Sequence, residues 1–165
     1  MKRIRRYLNF LLDKIFLQAV IRNRKTLDEI VNDNFLYQYR TYSNPERLFI
    51  SPKAHVSNAL FNCASGKIEI EDYVFFGQNV YIIAATHNYN LRSQQRIDSI
   101  PSNGYDVIVK TGAWIGSNVI VIGPCVIGEN SVIAAGSVVT RDIESNYLYA
   151  GNPARKVKAV NFENE

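Results

Sequence analysis

The sequence is poor in the residues from which metal centres and disulfide frameworks are built. Its 165 residues include two cysteines and two histidines. Cys63 and Cys125 cannot form a disulfide framework or a four-ligand zinc site. His55 and His87 leave little material for a three-histidine metal centre. We therefore expect no metal cofactor and a reducing, cytoplasmic compartment.

Long apolar runs are also missing. No run reaches the roughly 18 residues that a transmembrane helix needs, and the basic N-terminus lacks a secretory cleavage pattern. The hydrophobic fraction of 47% and the charged fraction of 21% are close to soluble globular averages, so we do not expect global disorder. The length suits one domain better than two.

Positive charge is concentrated at the N-terminus. Residues 1–25 carry a net charge of +7, whereas the remaining 140 residues carry −3. A basic arm of this kind can bind phosphates, anionic lipid or an acidic partner, and it can equally be a solvated helix face. The charge pattern leaves these interpretations open, although we expect no nucleic-acid partner.

The first 48 residues are predicted to be helical. Apolar residues recur there at steps of three and four, the spacing of one helix face, at Ile4, Leu8, Leu11 and Ile15. Thr26 followed by Glu29 indicates a capping box at the start of a second, shorter helix. The first helix either lies in a membrane interface through residues 1–20 or packs on the main body or between subunits.

The strongest signal in the sequence is a period of six residues. From Val109 onward the first position of each hexad is a β-branched aliphatic residue: Val109, Ile115, Val121, Ile127, Ile133 and Val139. The fifth position is mostly small: Ala113, Val119, Cys125, Ser131, Ser137 and Ile143. A triangular solenoid explains both columns, because each hexad makes one flat side with a turn and three sides close a coil. Both columns then point into the prism.

The same period returns upstream with two interruptions. The first column continues backwards through Ile82, Phe76 and Ile70, and then through Asn62, Val56 and Ile50. A short bulge is predicted near Ser65-Gly66, and the chain leaves the solenoid over residues 84–106. Twelve hexads make about four coils. The sequence therefore predicts a mainly β domain over residues 49–165, with an extruded loop and a C-terminal tail.

These hexads resemble the hexapeptide-repeat acyltransferases, which are left-handed parallel β-helices. The resemblance covers residues 48–158. It is strongest to the sugar, serine and xenobiotic acetyltransferases, in the motifs WIGSNV, AAGSVV and GNPARKVK. It implies acetyl-CoA as the acyl donor and a homotrimeric assembly. Two other repeat-bearing classes are disfavoured: γ-class carbonic anhydrases need three histidine ligands, and no nucleotide-fold signature supports a nucleotidyltransferase.

The resemblance also implies site residues. His87, in the ATH motif of the extruded loop, matches the catalytic histidine, and an imidazole suits a general base near neutral pH. The positions that match the coenzyme A site are Ser117, Ala135, Thr140, Arg141, Arg155 and Lys158. Ordinary surface charge is the alternative for the basic members of this set. Asn62 matches an acceptor-binding asparagine loosely, and a polar corner residue is its alternative role.

The expected function is direct transfer of acetyl from acetyl-CoA to a hydroxyl, or an amine, of a sugar or polysaccharide precursor. Serine or another small molecule is the alternative acceptor, and a non-catalytic trimeric scaffold is the alternative outside the enzymes. The basic helix would suit work on a membrane-borne glycan intermediate at the inner face of the membrane. We expect no cysteine nucleophile, because Cys125 lies in an inward column and Cys63 has no histidine nearby in sequence.

Overall fold

The computed structural model describes residues 38–163. The chain divides into two units, residues 1–37 and residues 38–165. Both predicted N-terminal helices, including the arm of residues 1–20, lie outside the described residues. Within residues 38–163, no helix has the length and apolar character that crossing a membrane requires.

Short strands dominate the described part of the chain. In chain order they are β1 (Arg40–Tyr42), β2 (Leu48–Ile50), β3 (Leu60–Asn62), β4 (Ile68–Ile70), β5 (Phe75–Phe76), β6 (Tyr81–Ile83), β7 (Val107–Val109), β8 (Trp114–Ile115), β9 (Ile120–Ile122), β10 (Cys125–Ile127), β11 (Val132–Ile133), β12 (Val138–Val139), β13 (Tyr147–Ala150) and β14 (Arg155–Ala159). One α-helix, α1 (Ser93–Asp98), lies between β6 and β7 within residues 38–163.

The strands form three sheets that make the three sides of a prism. Sheet A has the order β1-β3-β6-β9-β12, sheet B the order β10-β7-β4-β2, and sheet C the order β14-β13-β11-β8-β5. Consecutive strands such as β4, β5 and β6 belong to three different sheets, so three strands complete one coil. All pairings between coils are parallel, and only β14, in the described residues, pairs antiparallel, with β13. The solenoid predicted from the period of six is confirmed.

The interior is filled by the residue columns that the period predicts. The six first-position residues from Val109 to Val139 are all fully buried. Neighbouring coils place like residues side by side, as where Ile70 pairs in register with Val109. The fifth column is buried too, and the hydroxyl of buried Ser131 donates to the carbonyl of Gly128 at 2.8 Å. The core is therefore an apolar ladder, each large member of which contributes about 1.5–3 kcal/mol by leaving water.

One column assignment from the sequence is wrong. The spacing put Asn62 in the inward column, but Phe61 is the fully buried residue and pairs with Ile82, whereas Asn62 is half-buried. Phe61 follows Val56 by five positions rather than six, so this side of the first coil is one residue short. The Phe61 ring fills the core without needing a hydrogen-bond partner. It packs edge-on against the Tyr39 ring, with 5.6 Å between the ring centroids.

The helical prediction for the first 48 residues is wrong for the part that the structure describes. Strand β1 pairs with β3, and β2 pairs with β4. A 3-10 turn, Pro45–Arg47, joins β1 to β2. The backbone N–H of Cys63 donates to the carbonyl of Tyr42 at 3.2 Å, so pairing with β3 holds this segment as a strand. The solenoid therefore includes residues from Arg40 onward.

The chain leaves the solenoid after β6 and returns at β7, as the interrupted period predicts. Residues 84–106 form this excursion, and α1 lies within it. Buried Ser65 binds both ends: its hydroxyl accepts the N–H of Thr86 at 3.4 Å, and its carbonyl accepts the N–H of Tyr105 at 3.2 Å. The bulge predicted near Ser65 is thus the point where the two ends of the excursion meet.

Candidate active site

His87 lies on the excursion with its side chain exposed to solvent. Its Nδ1 is 3.0 Å from the backbone carbonyl oxygen of Arg96, a residue of α1. Because a carbonyl oxygen only accepts, the chemistry of this partner assigns the proton of the neutral ring to Nδ1. Nε2 then keeps its lone pair. This is the atom that can take a proton from a hydroxyl or an amine.

Local hydrogen bonds give the loop its shape around the histidine. The backbone N–H of Asn88 donates to the carbonyl of Ser99 at 3.0 Å, which closes the loop across α1. The hydroxyl of Thr86 donates to the carbonyl of His87 at 3.2 Å. These bonds lie directly before and after the imidazole, so they restrict the backbone that carries it.

Asn62 lies beside the root of the same loop. It is the Cα partner of Ile83, the last residue of β6, and its carbonyl accepts the N–H of Ala84 at 2.8 Å. Its side-chain Oδ1 accepts the N–H of Ala64 at 3.1 Å. The structure therefore brings Asn62 and the start of the His87 loop to one corner of the prism, with the Asn62 side-chain oxygen engaged in a local turn.

Ser117 and Ala135 share a different corner, where the chain passes from sheet C to sheet A. The backbone N–H of Gly136 donates to the carbonyl of Ser117 at 2.9 Å. The turns stack closely because position 116 is glycine: a Cβ on Gly116 would lie 2.6 Å from the backbone nitrogen of Ala135. The hydroxyl of Ser117 accepts the N–H of Gln78 at 3.0 Å, so this column of turns continues into the preceding coil.

The C-terminal hairpin of β13 and β14 lies beside the last of these stacked turns. The N–H of Ala154 donates to the carbonyl of Val138 at 2.8 Å, close in sequence to Ala135 and Gly136. Arg155 follows directly and is exposed, and its Nη1 donates to the carbonyl of Ala154 at 3.1 Å. Arg155 therefore follows a residue that is hydrogen-bonded to β12, and its guanidinium has further donors open to solvent.

The other predicted coenzyme-binding residues are more scattered. Lys158 pairs in register with Leu148, farther along the hairpin. Thr140 and Arg141 follow β12 and are exposed, as is Lys158. Within residues 38–163, no hydrogen bond or ion pair joins the Arg141 side chain to the hairpin. The turns at Ser117 and Ala135 are therefore in contact. In the part of the chain that the structure describes, no hydrogen bond joins the side chains of the four remaining predicted residues to those turns: Thr140, Arg141, Arg155 and Lys158.

The His87 loop and the Ser117 corner lie at opposite ends of the strands of sheet A. Strand β9 begins at Ile120, just after the corner, and ends at Ile122, which pairs with Ile83 at the loop root. A strand of three residues spans about 10 Å. No hydrogen bond within residues 38–163 joins the excursion to the Ser117 corner. One chain therefore carries the two halves of the predicted site on separate corners.

Both cysteines are unsuited to nucleophilic attack. Cys63 and Cys125 are buried. Burial raises the pKa of the Cys63 thiol to about 11 and the pKa of the Cys125 thiol to about 12, where the Asp142 carboxylate adds to the effect. The thiolate is the nucleophilic form, and these thiols are protonated near neutral pH. Nor do residues 38–163 contain a group of three or more metal-ligating side chains.

Two residues that shape the site escaped the sequence analysis. Arg96 supplies a backbone carbonyl to His87, and every residue carries such a group, so no motif could have identified it. Ser65 was assigned only to a bulge, although it holds both ends of the excursion. The sequence does contain a signal for Ser65: a serine that interrupts the apolar columns beside an insertion is a candidate for binding the inserted backbone.

Comparison with known proteins assigns the family. The family model described as "Bacterial transferase hexapeptide (six repeats)" matches residues 106–141, the segment from β7 to β12. The Saccharomyces cerevisiae protein named "Putative acetyltransferase YJL218W" is 33% identical over 129 residues, which are 78% of this chain and 64% of that protein. Escherichia coli galactoside O-acetyltransferase is 35% identical over 96 residues, 57% of this chain and 45% of that protein.

A solved structure gives the same assignment. The maltose O-acetyltransferase of Clostridium difficile 630 is 34% identical with a TM-score of 0.52, and the match covers 76% of this chain and 68% of that one. The chain belongs to the hexapeptide-repeat transferase family. Its fold is the left-handed parallel β-helix of that family, so the predicted fold class is confirmed. The chain spans 64% and 45% of the lengths of the two curated relatives named above.

Proposed function

We propose that this protein transfers an acetyl group from acetyl-CoA to a hydroxyl, or an amine, of a sugar or polysaccharide precursor. The observation that carries the proposal is the contact of His87 Nδ1 with the Arg96 carbonyl, which leaves Nε2 available as a base on an exposed loop. Similar proteins named as galactoside and maltose O-acetyltransferases support a sugar acceptor.

In the proposed reaction His87 Nε2 takes the acceptor proton as the acceptor oxygen or nitrogen attacks the thioester carbonyl carbon. The C–S bond breaks when the tetrahedral intermediate collapses, and the imidazolium returns the proton to the departing thiolate. The Arg96 carbonyl stabilises the imidazolium by accepting a hydrogen bond from Nδ1–H throughout the reaction. Transfer is direct, because the buried and protonated Cys63 and Cys125 offer no nucleophile for an acetyl-enzyme.

We place acetyl-CoA binding at the corner that holds Ser117 and Ala135. The turns stack closely there, and the exposed backbone at Ala135 suits hydrogen bonding to the amides of a pantetheine arm. The exposed guanidinium of Arg155 suits a phosphate group, and Thr140, Arg141 and Lys158 extend this proposal toward the distal end of the coenzyme.

Calorimetry tests the coenzyme site. Arg155→Met should weaken acetyl-CoA binding about tenfold, through the loss of one charge-assisted contact. Lys156→Met removes the same charge from the next position, but Lys156 is paired with Glu144, so binding should be unchanged. Equal effects of the two substitutions would show that only the net charge of the hairpin matters, and would contradict a specific role for Arg155.

We propose that the complete site forms between copies of the chain, as in the homotrimer that the resemblance implies. The His87 loop of one copy would meet the Ser117 corner of another, which joins the two halves that one chain keeps apart. Exposed apolar side chains on the loop, Tyr89, Ile97 and Ile100, would be covered by such a contact. Light scattering should then give a mass about three times 18.8 kDa.

Complementation between inactive variants tests the shared site more sharply. His87→Ala removes the base, and Ala135→Trp fills the exposed corner without touching the loop. Each variant alone should be inactive. Co-expressed copies should recover roughly a quarter of the sites, because some interfaces then combine an intact loop with an intact corner. No recovery from confirmed mixed oligomers, or a fully active monomer, would contradict this assembly.

An acceptor screen separates the proposed function from its alternatives. Acetyl transfer, corrected for hydrolysis, is measured with sugars, sugar nucleotides and serine as acceptors. We expect transfer to a sugar hydroxyl or amine. Transfer to serine alone would favour the small-molecule alternative. No acetyl-CoA binding in the calorimeter would leave the non-catalytic scaffold as the better description.

A further inference from the structure

Arg96 contacts the His87 loop with both its backbone and its side chain. Its carbonyl oxygen lies 3.0 Å from His87 Nδ1. Its guanidinium donates from Nε to the carbonyl of Leu91 at 2.7 Å and from Nη2 to the carbonyl of Tyr89 at 3.1 Å. Three hydrogen bonds therefore connect this one residue to the five-residue segment 87–91.

The guanidinium matters because little else holds α1 in place. The helix has six residues and none of them is buried. A helix this short is unstable by itself in water, so its position depends on its contacts with the loop. The two-point contact of a planar guanidinium fixes both distance and orientation, which a single hydrogen bond cannot do.

We propose that the Arg96 side chain is the positioning residue that sets the protonation pattern of the His87 ring. By holding α1 against residues 89–91, it keeps its own carbonyl oxygen facing His87 Nδ1. The Nδ1–H form is then favoured, and Nε2 stays free to accept a proton. The catalytic consequence rests on the proposed function, in which His87 is the base. The structural consequence, the tautomer, does not.

The chain offers a direct measurement of that tautomer. It contains two histidines, so a ¹⁵N spectrum of histidine-labelled protein holds two imidazoles, and His55→Gln assigns them. We expect the Nδ1–H form for His87 in the unmodified protein. Arg96→Met should shift His87 toward the tautomer mixture of free imidazole. Arg96→Lys, which keeps the charge but not the two-point contact, should give an intermediate spectrum.

Activity supplies the second readout. Arg96→Met should lower kcat by about 10- to 100-fold, because a misplaced base is costly, while KM for acetyl-CoA stays unchanged. Arg92→Met is the matched control: it removes the same charge from the residue that precedes α1. Within the described residues the Arg92 side chain donates no hydrogen bond, so its tautomer spectrum and its kcat should equal those of the unmodified protein.

The two readouts distinguish failure of this inference from failure of the proposed function. An unchanged His87 tautomer in Arg96→Met, whatever its activity, overturns the positioning role. A shifted tautomer with unchanged kcat supports the positioning role and instead contradicts His87 as the base. Circular dichroism confirms that each variant is folded, and Arg96→Lys provides the comparison if Arg96→Met is not.

Discussion

A single added methyl group at Gly66 should disturb the base of the excursion. A Cβ there would lie 2.5 Å from the carbonyl carbon of Tyr105 and 2.7 Å from the nitrogen of Asp106. Non-bonded carbon atoms prefer about 3.5–4.0 Å, so the facing segment would have to retreat by about 1 Å. These neighbours are backbone atoms that lead into β7, so they cannot rotate away as a side chain would.

The size of the effect follows from this crowding. We expect Gly66→Ala to lower the free energy of unfolding by about 1–3 kcal/mol, the usual cost of overpacking. The same displacement acts on the Tyr105 N–H that donates to Ser65, and Ser65 also holds the segment leading to His87. Acetyl transfer should therefore fall by up to about 100-fold, the cost of misplacing a catalytic group by about 1 Å.

A substitution at a second glycine, Gly104, distinguishes the effect of crowding from the effect of backbone strain. A Cβ on Gly104 would meet nothing within 4 Å, but its φ of +93° is costly for other residues. Gly104→Ala should cost about 1–2 kcal/mol through strain alone and leave the base of the loop in place. Urea denaturation and an acetyl-transfer assay measure both variants. A Gly66→Ala protein with wild-type stability and activity would refute the reasoning.

Three further predictions concern charge, thiols and the N-terminal arm. The hydrogen bond from Lys110 lowers the pKa of Glu71 from 4.5, so the pair stabilises the fold above that pH and loses this effect as the pH falls. Glu71→Gln should flatten the acid limb of stability against pH in urea denaturation, and an unchanged slope would contradict this. Iodoacetamide at about pH 8 should modify neither Cys63 nor Cys125 in the folded protein but both in urea, and rapid native labelling would contradict their burial. If the arm binds lipid, deleting residues 1–20 should abolish binding to anionic vesicles. If the arm packs on the body, the deletion should lower Tm. An unchanged Tm, together with no vesicle binding by the intact chain, would contradict both hypotheses.

The β-helix could be predicted because its signal repeats. Every member of the two inward columns from Val109 to Val139 has an equivalent six residues away, so one irregular residue cannot hide the period. The same dependence on repetition explains the error at Asn62. The first coil is one residue short before Phe61, and a rule of constant spacing cannot locate a single missing residue. The strand Arg40–Tyr42 was missed because its pairing with β3 is a tertiary contact.

The sequence could predict the part of the candidate site that consists of side chains, but not the part that consists of backbone groups. His87 stands in a recognisable motif, whereas its partner is a backbone oxygen whose identity depends on how residues 87–96 fold. Ser117 and Ala135 lie on later coils, and their role in binding coenzyme A stays a prediction. The strand order alone shows that their corner and the His87 loop lie at opposite ends of the strands of sheet A. Separation of the two halves is a property of the three-dimensional coil and has no sequence motif.

The turnover of His87→Ala tests the central claim, that His87 Nε2 is the base for acetyl transfer. It is measured at saturating acetyl-CoA with the best sugar acceptor from the screen, and acetyl-CoA affinity is measured by calorimetry. We predict a kcat lower by about 10²- to 10⁴-fold with nearly unchanged affinity, while His55→Ala, which alters an exposed side chain, retains activity. Near-normal turnover of His87→Ala, or an acetylated cysteine trapped during turnover, would contradict the account.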